Sequence, residues 1–187
     1  MLGDPRPSAP LPILNAAGSC TVLAGVEEAD ALGRGVVLVP GSDTTSYGGF
    51  DATVTGQVTV RAQQSGSADN VTLDSGFITV AAGAGLVLEA IDLNGTLVVD
   101  GGVVASRLAV RAVQVGPDGA AVLTNALLLP SGDPALVNEG RAVLRYSTVA
   151  LWNGAAGLVT LGAGQTDIGA TAVVASADDP TPVTCAG

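Results

Sequence analysis

The chain has 187 residues, a net charge of −10, 48 % hydrophobic residues, 26 glycines and no histidine, and all seven basic residues are arginine. This acidic, lysine-free balance excludes nucleic acid as a partner, because a DNA or RNA binder needs clustered cations to displace phosphate counterions, and it argues against docking on anionic lipid. The longest charge-free stretch, from Tyr146 to Thr166, is broken by Asn153, Gly154, Gly157, Gly162, Gly164 and Gln165, so no run reaches the roughly 18 apolar residues a spanning helix needs.

Residues 1–19 are Pro-rich and lack a basic start followed by an apolar core. They read as a linker rather than a signal peptide, leading into a domain cut from a longer exported product. Ala17-Gly18-Ser19-Cys20 is a weak echo of a lipoprotein cleavage site, without its usual leucine. Val22, Leu23, Val26, Ala29 and Leu32 have helical spacing around Glu27 and Glu28, which predicts a short amphipathic cap helix over 24–33. From residue 36 onward, apolar pairs with the strand period of two recur: Val37/Val39, Val58/Val60, Ile78/Val80, Leu97/Val99, Val113/Val115, Ala135/Val137 and Val159/Leu161. A second series places Leu93, Val110, Leu129 and Leu151 two residues after Ile91, Leu108, Leu127 and Val149, and a third runs through Leu86, Val103, Val122 and Leu144. Gly- and Asp-rich corners such as Asp100-Gly101-Gly102 and Gly116-Pro117-Asp118-Gly119 separate the strands.

Three short strands at one repeating period predict an all-β fold, a right-handed single-stranded parallel β-helix of about seven coils. A single coil cannot bury its inward face, whereas stacked coils bury a continuous aliphatic column. The domain is placed at 20–176, followed by a tail at 177–187 rich in Asp and Pro. A β-sandwich also has many short strands, but it has no reason to repeat inward positions in three series.

The stretch from Ala135 to Val149, that from Gly119 to Leu128, and Ala29-Asp30-Ala31-Leu32 followed by Gly35-Val36-Val37-Leu38-Val39-Pro40-Gly41 resemble the right-handed parallel β-helix repeat of pectin-lyase-like proteins. The resemblance covers roughly 20–176. It implies a coil stack opened by a short capping helix, and a role among bacterial surface or secreted proteins, polysaccharide lyases and hydrolases. The hydrolase motifs of that superfamily need histidine and lysine, which this chain lacks.

No catalytic residue and no cofactor is assigned. Arg107 and Arg111, and Arg141 and Arg145, are each four apart, a spacing that places them on one side of a strand. One pair could form a basic patch for an acidic glycan, with Tyr47 and Trp152 as rings for sugar stacking. The plainer alternative has the arginines pairing with Glu89, Asp92 or Glu139 on neighbouring coils, and an arginine does not readily serve as a base. Asp92, Asn94, Asp100 and Asp118 read as turn residues, since calcium wants six to eight oxygens from a preshaped loop, and no metal site is assigned. Cys20 and Cys185 sit at opposite ends. About seven coils at about 4.8 Å separate those ends by roughly 30 Å, so a disulfide requires a terminal segment to run back along the column; free or intermolecular thiols are the other reading. The expected function is a non-enzymatic extracellular or cell-surface module, structural or adhesive, whose partner is a glycan or another surface protein. The alternative is a lyase or binding module for an acidic polysaccharide.

Overall fold

The computed structural model describes residues 11–14, 35–39, 46–62, 71–132, 134–151, 156–175 and 183–186, with side chains only between residues 51 and 175. The cap helix at 24–33 lies outside the described residues. Within them the chain is all-β, and every strand pairing is parallel. The fold is a parallel β-solenoid of about five turns.

Each turn contributes one strand to each of three walls. Wall 1 stacks Leu11–Leu14, Gly35–Val39, Gln57–Ala62, 85–89, 102–106, Ala120–Thr124, Arg141–Arg145 and Gln165–Gly169. Wall 2 stacks 71–73, 91–93, 108–110, Leu127–Leu128, Thr148–Leu151 and Ala172–Ala175. Wall 3 stacks 77–80, 96–99, 112–115, Leu136–Asn138, Leu158–Leu161 and Val183–Ala186. In the coils 85–99 and 102–115 the pairing between neighbours continues around the corners, so that each coil is one continuous strand, Gly85–Val99 and Gly102–Val115.

The core is the set of inward ladders. On wall 1, Val60, Leu88, Ala105, Leu123 and Leu144 lie in register and are all buried. On wall 2 the ladder is Leu93, Val110, Leu128, Val149, and on wall 3 it is Ile78, Leu97, Val113, Leu136, Leu158. A residue in such a ladder touches apolar neighbours above, below and across, which is why Leu97, Leu123, Leu128, Leu136 and Leu144 are each 0 % exposed.

The period alone mixes walls. Val58 belongs to wall 1 and Ile78 to wall 3 of the same coil, so they do not share a ladder, and the period alone counts that coil twice. The third series also divides: Leu86 stacks on Val103, Leu144 belongs to the neighbouring ladder, and Val122 points outward at 38 % exposure. Leu127, 37 % exposed, is outward as well, and Leu128 takes the inward place. Two strands lie in segments read as linker and tail, Leu11–Leu14 and Val183–Ala186. Pro12 fits the former because a proline removes one ladder donor and is tolerated at a sheet edge.

Two corners explain the tight winding. Between walls 3 and 1 the backbones of adjacent coils nearly touch: a Cβ on Gly140 would lie 2.3 and 2.4 Å from the carbonyl oxygens of Gly116 and Gly119, and one on Gly101 would lie 2.4 Å from those of Ala81 and Ala84. Between walls 1 and 2 each of the five coils from residue 85 onward turns on one left-handed residue. These are Ala90, Arg107, Asn125, Tyr146 and Ala170, with φ of 50 to 58°. Only Asn125 is a residue type enriched there. Ser147 and Thr171 brace two of these corners, each donating its hydroxyl to the carbonyl two residues back, at 2.9 and 3.1 Å. Tyr146 is 67 % exposed, so its ring contributes little packing. Tyr146→Asn is therefore expected to relieve about 0.5–1 kcal/mol of backbone strain and to raise the melting temperature by about 1–4 °C, measured by circular dichroism.

Candidate functional site

The two arginine pairs singled out by spacing are placed differently by the fold. Arg107 is itself the left-handed corner between walls 1 and 2, whereas Arg111 follows wall 2, so the chain turns between them and they face different ways. The same-side inference assumes a straight strand, and the corner breaks that assumption. Arg141 and Arg145 do share a strand and its outer face, with Val143 between them. Tyr47 lies in the strand Ser46–Val54, but its side chain is outside the described residues, as are Trp152 and Cys20. Cys185 lies in the strand Val183–Ala186 without a described side chain, so its pairing with Cys20 also falls outside the described residues.

Three of these arginines are held by the coil before or after their own. Arg107 donates to Glu89 at 2.8 Å, as the pairing alternative anticipates. Arg145 donates to Asp167 at 2.5 Å and to the carbonyl oxygens of Leu144 and Asp167 at 3.1 and 3.2 Å. Arg111 donates through Nε to Asn94 Oδ1 at 2.7 Å, and Asn94 Nδ2 in turn donates to Asp74 Oδ1 at 2.8 Å. Asp74, Asn94 and Arg111 are thus one outward ladder over three coils. Their separations of 20 and 17 residues are those of the coil itself, a signal available to anyone who scans polar residues for the period as well as apolar ones.

The hydrogen bond from Arg145 holds the Asp167 carboxyl below the usual carboxylate range, against a smaller desolvation effect that pushes it up, and raises the Arg145 guanidinium in return. A depressed carboxylate contributes stability above its unfolded pKa and loses it as pH falls through the lower folded value. Asp167→Asn is accordingly expected to be less stable than the parent at pH 7, by a difference that shrinks as pH falls through the lowered folded value of the carboxyl. Urea midpoints across that range check this. The pair is exposed, so the difference will be small.

Two shallow hollows meet at Arg111. One, of about 260 Å³, is lined by Thr72, Asp92, Asn94, Ala109, Arg111 and Leu129 among others. The other, of about 350 Å³, is lined by Gly76, Asn94, Gly95, Thr96, Arg111 and Ser131 among others. Together they form a trough along the corner between walls 2 and 3, bounded by the connection that follows Leu128. The relay from Asp74 fixes the Arg111 fork in the middle of that trough, an arrangement able to receive a carboxylate. Among the described residues no group of three or more His, Cys, Asp or Glu could hold a metal ion, and no helix is long and apolar enough to cross a membrane. Comparison with family models, with curated proteins and with solved structures gives no match.

Proposed function

We propose that the chain is a non-enzymatic, extracellular or cell-surface module of the pectin-lyase-like repeat type, structural or adhesive, in which the solenoid acts as a rigid spacer. The observation that carries this reading is how the polar surface is spent. Arg107, Arg111 and Arg145 are each tied to a neighbouring coil through Glu89, Asn94 and Asp167, so these charges brace the column lengthwise over a continuous aliphatic core. The surface location rests on the repeat resemblance alone. Incubation with pectate, alginate and other uronan polymers, followed by ultraviolet absorbance, tests the reading. No unsaturated ends are expected, and their appearance would replace the spacer by a lyase.

The trough at Arg111 favours a second reading, a binding module for an acidic polysaccharide. Here the fixed guanidinium would receive a uronate carboxylate while Thr72, Thr96 and Ser131 meet hydroxyl groups. A glycan array separates the two readings: retention of uronan-type glycans that is lost in Arg111→Ala supports the module, and no retention leaves the spacer.

A further inference from the structure

The outer face of wall 1 carries an unshielded aliphatic stripe. Val87, Val104, Val122 and Val143 lie in register on four successive coils, and the first three are 40 %, 53 % and 38 % exposed. On the side where the strands enter the wall they are flanked by Gly85, Gly102 and Ala120, and on the exit side by Ser106 and Thr124. These neighbours are too small to cover Val104 and Val122, whereas Glu89 flanks Val87 on one side and Arg141 and Arg145 flank Val143 on both. Outward positions on a solvated sheet ordinarily carry polar side chains, so four stacked valines call for an apolar partner.

The charges bordering the stripe indicate what that partner is. The strand 102–106 is entered past Asp100 and left at Arg107. Ala120–Thr124 is entered past Asp118 and left at Asn125, and Arg141–Arg145 is entered past Glu139 and left at Arg145. The entry rim is therefore acidic and the exit rim basic. Arg141 on the entry side, Arg61 and Glu89 on the exit side and Asp167 at the end of the valine row also face this surface. They leave the asymmetry in place, with the entry rim at a net −2 (Asp100, Asp118 and Glu139 against Arg141) and the exit rim at +1 (Arg61, Arg107 and Arg145 against Glu89 and Asp167, the partner of Arg145).

A face with an apolar midline, one acidic rim and one basic rim is complementary to itself under one two-fold operation. Rotation about an axis parallel to the column and lying between two such faces places valine on valine. It also brings the acidic rim of each copy against the basic rim of the other, with Asp100 level with Arg107, while at the last of these coils Glu139 and Arg141 together come level with Arg145. A two-fold perpendicular to the column would set like charge on like charge. We infer that wall 1 is the contact face of a parallel, isologous two-fold dimer of this chain, the commonest symmetry for such assemblies. The column repeats its spacing from coil to coil, so the two stripes stay in step along their length, about 10 Å apart between backbones. The net charge of −10 on each copy does not prevent the contact. At about 0.15 M salt the Debye length is about 8 Å, so charges on the far sides are screened while the rims meet directly.

Five strands at about 4.8 Å by five residues at about 3.3 Å give about 400 Å² on each copy. That is half the area of a standard stable interface, so the dimer belongs to the weak class. Sedimentation velocity on the whole chain from about 10 µM to about 1 mM is expected to show the mass rising from 18.2 kDa toward twice that value. Val104→Arg, which places a charge on the two-fold axis at an outward position, is expected to stay monomeric over the whole range. Val104→Thr, which keeps the shape and adds a hydroxyl, is expected to need several-fold more protein to associate. Asp100→Arg is expected to weaken the dimer similarly. Matched circular dichroism melts confirm that the variants fold. A parent chain that remains monomeric at about 1 mM, or a folded Val104→Arg that associates as the parent does, would overturn the inference.

Discussion

Leu144→Ala is expected to lower stability by about 2–5 kcal/mol, whereas Ile168→Ala, one coil further along the same ladder, is expected to cost less than half as much. Leu144 stacks on Leu123 below it and on Ile168 above it and is 0 % exposed. Truncation there removes the transfer free energy of three carbons and leaves a void whose walls belong to separate strands, each fixed by its own hydrogen bonds, so the site cannot collapse cheaply. Ile168 occupies the equivalent inward position in the last wall 1 strand, yet it is 41 % exposed because no further wall 1 strand among the described residues lies above it. Urea unfolding of the two variants, compared by midpoint and slope, checks the claim. Equal losses would show that the column's end is as well covered as its middle, and that the exposure of Ile168 is not its state in solution.

Asn138→Val is expected to destabilise by about 2–4 kcal/mol although it completes an aliphatic ladder. Asn138 lies in register with Val115, itself in register with Val99 and Val80, and with Thr160 on the other side. A valine would suit its neighbours in shape. The buried amide, however, satisfies three groups: Nδ2 donates to the Gln165 carbonyl at 2.9 Å and to Thr166 Oγ1 at 2.8 Å, and Oδ1 accepts from the Gly140 amide at 3.0 Å. Those bonds tie the wall 3 strand to the next coil across the corner where Gly140 and Gly164 run hard against neighbouring backbone. Removing the amide takes a partner from each of three part-buried polar groups, and their combined desolvation cost exceeds what one apolar side chain returns. Thr166 retains its 2.7 Å bond to Thr160, which limits the loss. A variant as stable as the parent in urea would mean that water enters and takes over the amide's bonds.

The sequence by itself determined the class of fold. Period-two apolar pairs recurring every 16 to 24 residues, with Gly and Asp at the breaks, suffice for a wound column of parallel strands, because only stacking in register buries every such pair. The same pattern could not say which wall a strand belongs to. All three walls use one code, so Val58 and Ile78 look like successive coils when they are two sides of one. A register is also ambiguous by one residue wherever aliphatics run together, as in Val122-Leu123 and Leu127-Leu128-Leu129, and only the neighbouring coil selects the buried member. The left-handed corners were hidden for a related reason: Ala90, Arg107, Tyr146 and Ala170 carry no local preference for that geometry and are held there by the strands on either side. The same holds for the surface. Spacing along the chain joined Arg107 to Arg111, whereas winding joined Arg107 to Glu89 and Arg111 to Asn94, since in a solenoid the nearest neighbour of a side chain lies one coil away rather than four residues along.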